Sequence, residues 1–219
     1  IYVDTLENNG VKRVHQVKIN RDYFIYNEYE IEPAKFIKTE GGFFQIEDTS
    51  SGQLLIALLE FNSDYKNDAI KQLSIPIKIE GDQRKMNWKQ QLTLEHTQAT
   101  AQDLDGAWLF ATRGPDTGQK RRGEESTRKT LKFLKDGTFL WIAYDTDSYR
   151  FSGTGGGSYI TKDGSYTEQI EFFSKDDTRV GAQLEFNYEL KGNAGHHTGN
   201  NSKGEPMYEI WSKRKMGEE

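Results

Sequence analysis

The chain contains no cysteine, which removes disulfides, zinc-thiolate sites and thiol nucleophiles from consideration. It also lacks an apolar run of about 18 residues, the length a membrane-crossing helix requires, so no transmembrane segment is expected. An excess of positive charge is missing too: 29 Lys and Arg stand against 34 Asp and Glu, a net charge of -5, and nucleic acid is not the expected partner. The one basic run, Lys120-Arg121-Arg122, is interrupted at once by Gly123-Glu124-Glu125 and reads as solvated loop. Catalytic signatures are wanting. There is no G-x-S-x-G, H-E-x-x-H, phosphate-binding loop or dinucleotide fingerprint, and neither a cofactor nor a catalytic residue is implied. Hydrophobic residues make up only 34%, yet aromatics reach 12%. Disordered chains are poor in aromatics, so a folded protein with thin cores is expected.

What the chain does have is an internal repeat, which must be settled before any fold is assigned. Phe36, Thr39, Gly41 and Gly42 recur 115 residues later as Phe151, Thr154, Gly156 and Gly157. Downstream the offset is 111, pairing Glu60, Phe61, Ser63, Gln72, Leu73 and Gly81 with Glu171, Phe172, Ser174, Gln183, Leu184 and Gly192. Upstream an offset of 114 pairs Lys18 and Asp22 with Lys132 and Asp136. Two copies of one all-β unit are predicted, residues 1–98 and 101–219, each long enough for a modest core.

Within each copy, short alternating runs are joined by turns. Asn9-Gly10 and Asp136-Gly137 are hairpin pairs, and the consecutive glycines predict a bulge or bend. Gln53 to Phe61 has helical composition, but its counterpart Ser165 to Phe173 alternates like a strand. The repeat therefore predicts a strand, with Leu55, Leu59 and Phe61 facing inward beside Tyr166, Ile170 and Phe172. Leu54, Ile56 and Leu58 then form an outward apolar row, expected to be covered by the second copy or by a protein partner. Pro76 suggests an edge or bulge. Residues 113–128 and 192–205 read as mobile loops. A meander without helix-length segments leaves raw edges unless it closes, so the predicted fold is all-β, two tandem antiparallel up-and-down barrels.

Gly106-Ala-Trp108 at the head of a strand, followed by a meander whose last strand ends in basic residues, resembles the lipocalin and calycin superfamily. The longer stretch from Gly153 to Gly181 is similar to lipocalin-like secreted proteins of Gram-negative bacteria. The resemblance covers nearly all of the second copy. It implies that Trp108 plugs the closed end of a barrel beneath Arg214 or Lys213, with Gly106 a structural residue. The first copy has no G-x-W, and Ile1 to Thr5 would align with the residues just after Trp108. The implied function is non-enzymatic binding of a small apolar or amphipathic molecule. The rival readings are an interaction module with filled barrels and a calycin-type isomerase or dehydratase. Ile1 is not a start methionine, and a removed signal segment is expected, which would place the protein in the periplasm, outside the cell or on the envelope.

Among candidate site residues, Glu168 shares the inward face with Tyr166 and Ile170, where the first copy has Ala57. A carboxylate among aromatics is costly to bury unless it is paired. It either orients the polar head of a ligand, sits at a wet mouth, or pairs with an internal Lys or Arg. Tyr144, Tyr159, Tyr166 and Tyr188 are the expected wall residues. His196 and His197 read as residues of a solvated loop, since a metal site would need further converging ligands. Gly155-Gly156-Gly157 reads as a strand bend, and Asp145, Asp147, Asp176 and Asp177 as turn residues. No metal site is expected.

Overall fold

The computed structural model describes residues 1–201 and 203–215. The chain forms two closed antiparallel barrels of eight strands each. The first contains β1 (Tyr2–Asn8), β2 (Val11–Ile19), β3 (Tyr23–Ile31), β4 (Ala34–Thr49), β5 (Gly52–Asn62), β6 (Gln72–Glu80), β7 (Gln83–Trp88) and β8 (Gln90–His96), with a single helical turn, α1 (Tyr65–Asp68), after β5. The second contains β9 (Gly106–Arg113), β10 (Arg128–Lys135), β11 (Thr138–Asp145), β12 (Arg150–Lys162), β13 (Ser165–Phe173), β14 (Gln183–Lys191), β15 (Ala194–Asn200) and β16 (Pro206–Lys213), with a 3-10 turn at Asp177–Arg179 after β13. Closure comes from β8 pairing with β1 and from β16 pairing with β9, so neither sheet keeps a free edge. Among the described residues no helix is long and apolar enough to cross a membrane.

The repeat marks the same joint in both barrels. The Thr39 hydroxyl donates to the Tyr26 carbonyl at 2.9 Å and that of Thr154 to the Trp141 carbonyl at 2.6 Å. Each threonine amide also donates to a serine hydroxyl, Ser63 or Ser174, at 2.9 Å. The paired glycines sit where β4 crosses β5 and β12 crosses β13 too closely for a side chain. A Cβ on Gly42 would lie 1.8 Å from the Leu58 carbonyl oxygen, and one on Gly157 would lie 2.0 Å from that of Gln169. At this joint the ladder slips by one residue, with Gly41 opposite Phe61 but Gly42 opposite Leu59, and Gly156 opposite Phe172 but Gly157 opposite Ile170. Glu60 and Glu171 are the extra residues.

The slip corrects part of the predicted inward row. Leu55, Ala57 and Leu59 join the first core, so the strand over Gln53 to Phe61 is present. One extra residue turns every following side chain over, so Phe61 and Phe172 are buried on the other face, and Phe173 rather than Phe172 continues the interior wall. The upstream repeat is corrected as well. The Phe44 amide donates to the Asp22 carbonyl and the Tyr159 amide to the Gly137 carbonyl, an offset of 115 rather than 114. Val17, not Lys18, therefore holds the place of Lys132.

Other expectations change for equally local reasons. Both hairpin pairs adopt left-handed backbone, with φ of 51° and 79° at Asn9-Gly10 and 51° and 68° at Asp136-Gly137, as two-residue turns between twisted strands require. Pro76 lies where β6 is locally an edge, as expected, although the barrel itself is closed. It pairs with Leu54, and β6 begins pairing with β7 only at Ile77, so its missing N–H interrupts no ladder there. The segment 192–205 is not a loop, because β15 runs through it, paired on both sides. In the outward row Leu54 and Ile56 are half-buried while Leu58 is 60% exposed.

Candidate functional site

The closed end of the second barrel is built around Trp108. Its indole is 5% exposed and donates through Nε1 to the Leu104 carbonyl at 2.8 Å. The Lys213 Nζ lies 5.7 Å from the centre of the Trp108 ring, within the range of a cation-π contact. Arg214 is buried and its amide donates to the Ala107 carbonyl, while its guanidinium approaches Glu124 at 3.7 Å. Of the two cations expected above the indole, the stacked one is thus Lys213. Gly106 has φ of 138° and lies beside the Lys213 side chain. In the first barrel the Thr97 amide donates to the Ile1 carbonyl, matching Arg214 and Ala107. Tyr2 therefore stands in the place of Trp108, a correction to the alignment of Ile1 to Thr5 with the residues after it.

Above this end the second barrel holds a cavity of about 270 Å³. Phe139, Trp141, Ile170, Phe173, Leu184, Phe186 and Trp211 wall it, Thr130, Arg179, Asn201 and Met207 lie around it, and Lys132, Glu168, His197 and Glu209 supply interior polar groups. A void of about 30 Å³ beneath it is lined by Leu104, Trp108, Tyr166 and Tyr188 and shares Lys132, His197 and Trp211. The first barrel shows why the space exists. With the offset of 115, Lys38 and Glu40 of β4 correspond to Gly153 and Gly155 of β12. Lys38 reaches Glu40 at 3.2 Å and Asp68 at 3.0 Å, so charged side chains occupy space that two glycines leave open in the second barrel. Gly155 is also required by its neighbours, since a Cβ there would fall 2.8 Å from Trp141 Nε1 and 2.7 Å from Phe173.

The interior polar groups form two linked sets. Lys132 donates to Glu168 Oε1 at 3.1 Å, and the Tyr166 hydroxyl donates to the same oxygen at 2.5 Å. The Lys132 ammonium also lies 5.1 Å from the centres of the Tyr166 and Trp211 rings. Of the fates open to Glu168, the pairing with an internal lysine is the one found, and the carboxylate lines the cavity as well. Burial, and then the negative charge of Glu168, push the Tyr166 hydroxyl well above its ordinary pKa, so Tyr166 remains a donor. On β15 and β16, His197 faces Glu209 across the ladder. Its Nδ1 is 3.9 Å from Glu209 Oε2, the oxygen that accepts from Trp211 Nε1 at 3.1 Å. His197 Nε2 is buried with no hydrogen-bond partner among the described residues. Burial, and then the charge of Lys132, hold the His197 pKa well below 6.5, so the imidazole is neutral.

The remaining expected residues are placed as follows. Tyr159 and Tyr166 meet edge to face near the closed end, with the Tyr159 hydroxyl donating to Asp105. Tyr159 is not a cavity wall residue. Tyr188 touches only the small void and donates to Asp103 at 2.5 Å. Tyr144 is buried but lies on the opposite face of β11 from Phe139 and Trp141, so it cannot reach the interior. Strand alternation places the wall at odd positions of β11, and Trp141 is the residue the tyrosine row missed. His196 and His197 are 4% and 6% exposed in β15, a correction to the solvated loop, because pairing with β14 and β16 makes a strand of a glycine-rich segment. The Asp176 side chain accepts from the Thr178 amide, and that of Asp145 from Ser148. Among the described residues no three metal-ligating side chains cluster.

No curated protein matches the chain. Residues 103–219 match a protein family described as a domain of unknown function, DUF4488.

Proposed function

The chain belongs to the DUF4488 family, and from that premise we propose that its second barrel binds a small amphipathic molecule without catalysing a reaction on it. The observation that carries this reading is the replacement of Lys38 and Glu40 by Gly153 and Gly155, which accompanies an aromatic-walled space of about 270 Å³ in an otherwise repeated scaffold. Ligand pockets are mostly apolar, with a few placed polar groups, and span roughly 300–1,000 Å³. The cavity lies just below that range, which fits a molecule of one or two rings or a short acyl chain. The closed eight-stranded meander with Trp108 at its plugged end is consistent with a lipocalin-like mode of binding, although fold alone does not carry function. In this reading the first barrel is scaffold.

The test is native mass spectrometry of the protein purified from its own host, followed by calorimetric titration with small aromatics. Leu184→Trp serves as the blocked control, because Leu184 is half-buried at the cavity wall and a larger side chain there grows into the space. Wild type should carry or bind one small molecule, and the variant should not while still folding. A wild-type protein that is always empty and titrates no better than Leu184→Trp would refute the reading.

A further inference from the structure

The charges inside the second barrel do not balance. Lys132, Glu168 and Glu209 all line the cavity, and the lysine is committed to Glu168 at 3.1 Å. Glu209 has no lysine or arginine within ion-pair distance among the described residues. Its Oε2 accepts from Trp211 Nε1 at 3.1 Å and lies 3.9 Å from His197 Nδ1, but burial and the charge of Lys132 keep that imidazole neutral. Glu209 Oε1 takes no hydrogen bond among the described residues. It is not sealed off either, since the buried polar atoms without a partner do not include it, and the side chain stays 20% exposed.

Strand direction places the one other charge at the cavity, Arg179, away from this carboxylate. Tyr166 near the start of β13 and Tyr188 near the end of β14 line the small void beside Trp108, so the turn joining those strands, which holds Arg179, is at the open end. There Arg179 is half-buried and faces its own counter-charge in Asp176, whose pKa is lowered by hydrogen bonds from Thr178 and by the arginine. Glu209 lies deeper, between Met207 at the start of β16 and Trp211, and its hydrogen bond to Trp211 draws the carboxylate further from the mouth. Within the barrel two carboxylates therefore stand against one ammonium.

We propose that the ligand of the second barrel is a small arylalkyl amine, a flat cation whose ammonium group pairs with Glu209. The inference rests on the binding reading above and deepens it by giving the guest its charge. An ammonium N–H donates to the open Oε1 in a charge-assisted bond and supplies the positive charge the interior lacks. The walls suit the same guest, because the faces of Phe139, Trp141, Phe173 and Phe186 attract cations and stack on rings. Lys132 cannot serve in its place: it is held by Glu168 and lies 5.1 Å from the centres of the Tyr166 and Trp211 rings, where it forms no pair with Glu209. A carboxylate guest would meet two carboxylates in the same space. An uncharged guest would take Glu209 further out of water and leave it without a counter-charge, which is costly.

The experiment uses the full chain at pH 7 and four probes of one shape: 4-ethylbenzylamine, 4-ethylbenzyl alcohol, 4-ethylbenzoate and 4-ethyltoluene, titrated by calorimetry. The amine should bind roughly tenfold or more tighter than the alcohol, because a charge-assisted hydrogen bond is about twice as strong as a neutral one. Glu209→Gln keeps the size of the side chain and an acceptor for Trp211, and this variant should bind the amine no tighter than the alcohol. The wild-type ranking is decisive without any variant. Equal binding of all four probes, tightest binding of the benzoate, or an amine preference that survives Glu209→Gln would each overturn the cationic guest and leave the binding reading standing. Failure of all four probes, 4-ethyltoluene included, would overturn both.

Discussion

Replacing Lys132 and Glu168 with the residues that hold their places in the first barrel should separate a built-in ion pair from an incidental one. The two side chains are 11% and 7% exposed and meet at 3.1 Å, while Val17 and Ala57 stand at the matching positions. Removing one member of a buried pair strands the other charge and costs about 3–5 kcal/mol. Glu168→Ala also takes the acceptor from the Tyr166 hydroxyl, so it should fall at the upper end of that range. Lys132→Val/Glu168→Ala removes both charges but still leaves the Tyr166 hydroxyl unmet, at a cost of about 1–3 kcal/mol. Adding Tyr166→Phe should bring the triple variant back to within about 2 kcal/mol of wild type, since well-packed apolar replacements of buried pairs are often neutral. Urea unfolding followed by tryptophan emission suits this cycle, because Trp108, Trp141 and Trp211 lie in the second barrel and only Trp88 in the first. Single variants that each lose less than about 1 kcal/mol, the range of exposed pairs, with no coupling between them, would refute the argument.

Two further outcomes can be stated. Gly157→Ala should fail to give a soluble folded second barrel, because its Cβ would fall 2.0 Å from the Gln169 carbonyl oxygen, whereas Gly195→Ala, with its nearest neighbour at 3.4 Å on Trp108, should fold; circular dichroism and thermal melting of the pair decide it. His197 is held neutral in the folded protein by burial and by Lys132, whereas an unfolded imidazole takes up a proton below about pH 6.5. Its contribution to stability is therefore complete above that pH and is lost as pH falls, by about 1.4 kcal/mol per unit until the folded pKa is reached. Wild type should converge on or fall below His197→Phe in urea stability between pH 7 and 5, and parallel profiles would contradict the assignment.

The strands were legible because alternation and the repeat agreed, and at Gln53 to Phe61 the repeat outweighed a helical composition. The same comparison, carried one strand further, would have found β15, since its counterpart β7 reads more readily as a strand than Ala194-Gly-His-His-Thr-Gly-Asn200 does. Composition misled there because a strand paired on both sides tolerates glycines that an isolated segment would use for a loop. The flip at Phe61 and Phe172 was not legible, as one extra residue at Glu60 or Glu171 leaves the sequence alternation intact while the ladder slips. The decisive signal for the cavity was present in the repeat itself. Phe-Ile-Lys-Thr-Glu-Gly-Gly in the first copy becomes Phe-Ser-Gly-Thr-Gly-Gly-Gly in the second, and the two columns that lose a long charged side chain are the inward ones. His197 and Glu209 could not be joined from sequence, because only the register of β15 against β16 sets them opposite each other.

The two barrels differ most in how each satisfies its own interior polar groups. In the first, Lys38 reaches Glu40 at 3.2 Å and Asp68 at 3.0 Å. His15 is engaged at both ring nitrogens, with the Tyr26 hydroxyl at 2.7 Å and Gln90 at 2.9 Å. Below them an apolar cluster of Val17, Phe24, Leu55, Leu73, Ile75, Leu92 and Leu94 occupies the core. A histidine with both nitrogens engaged and charges paired among themselves offers a guest little to complete. The second barrel pairs Lys132 with Glu168 but leaves a space it does not fill. An unfilled space of this kind costs stability, a cost that an occupant would offset under the proposed binding. The family match falls on residues 103–219, the barrel that holds the cavity.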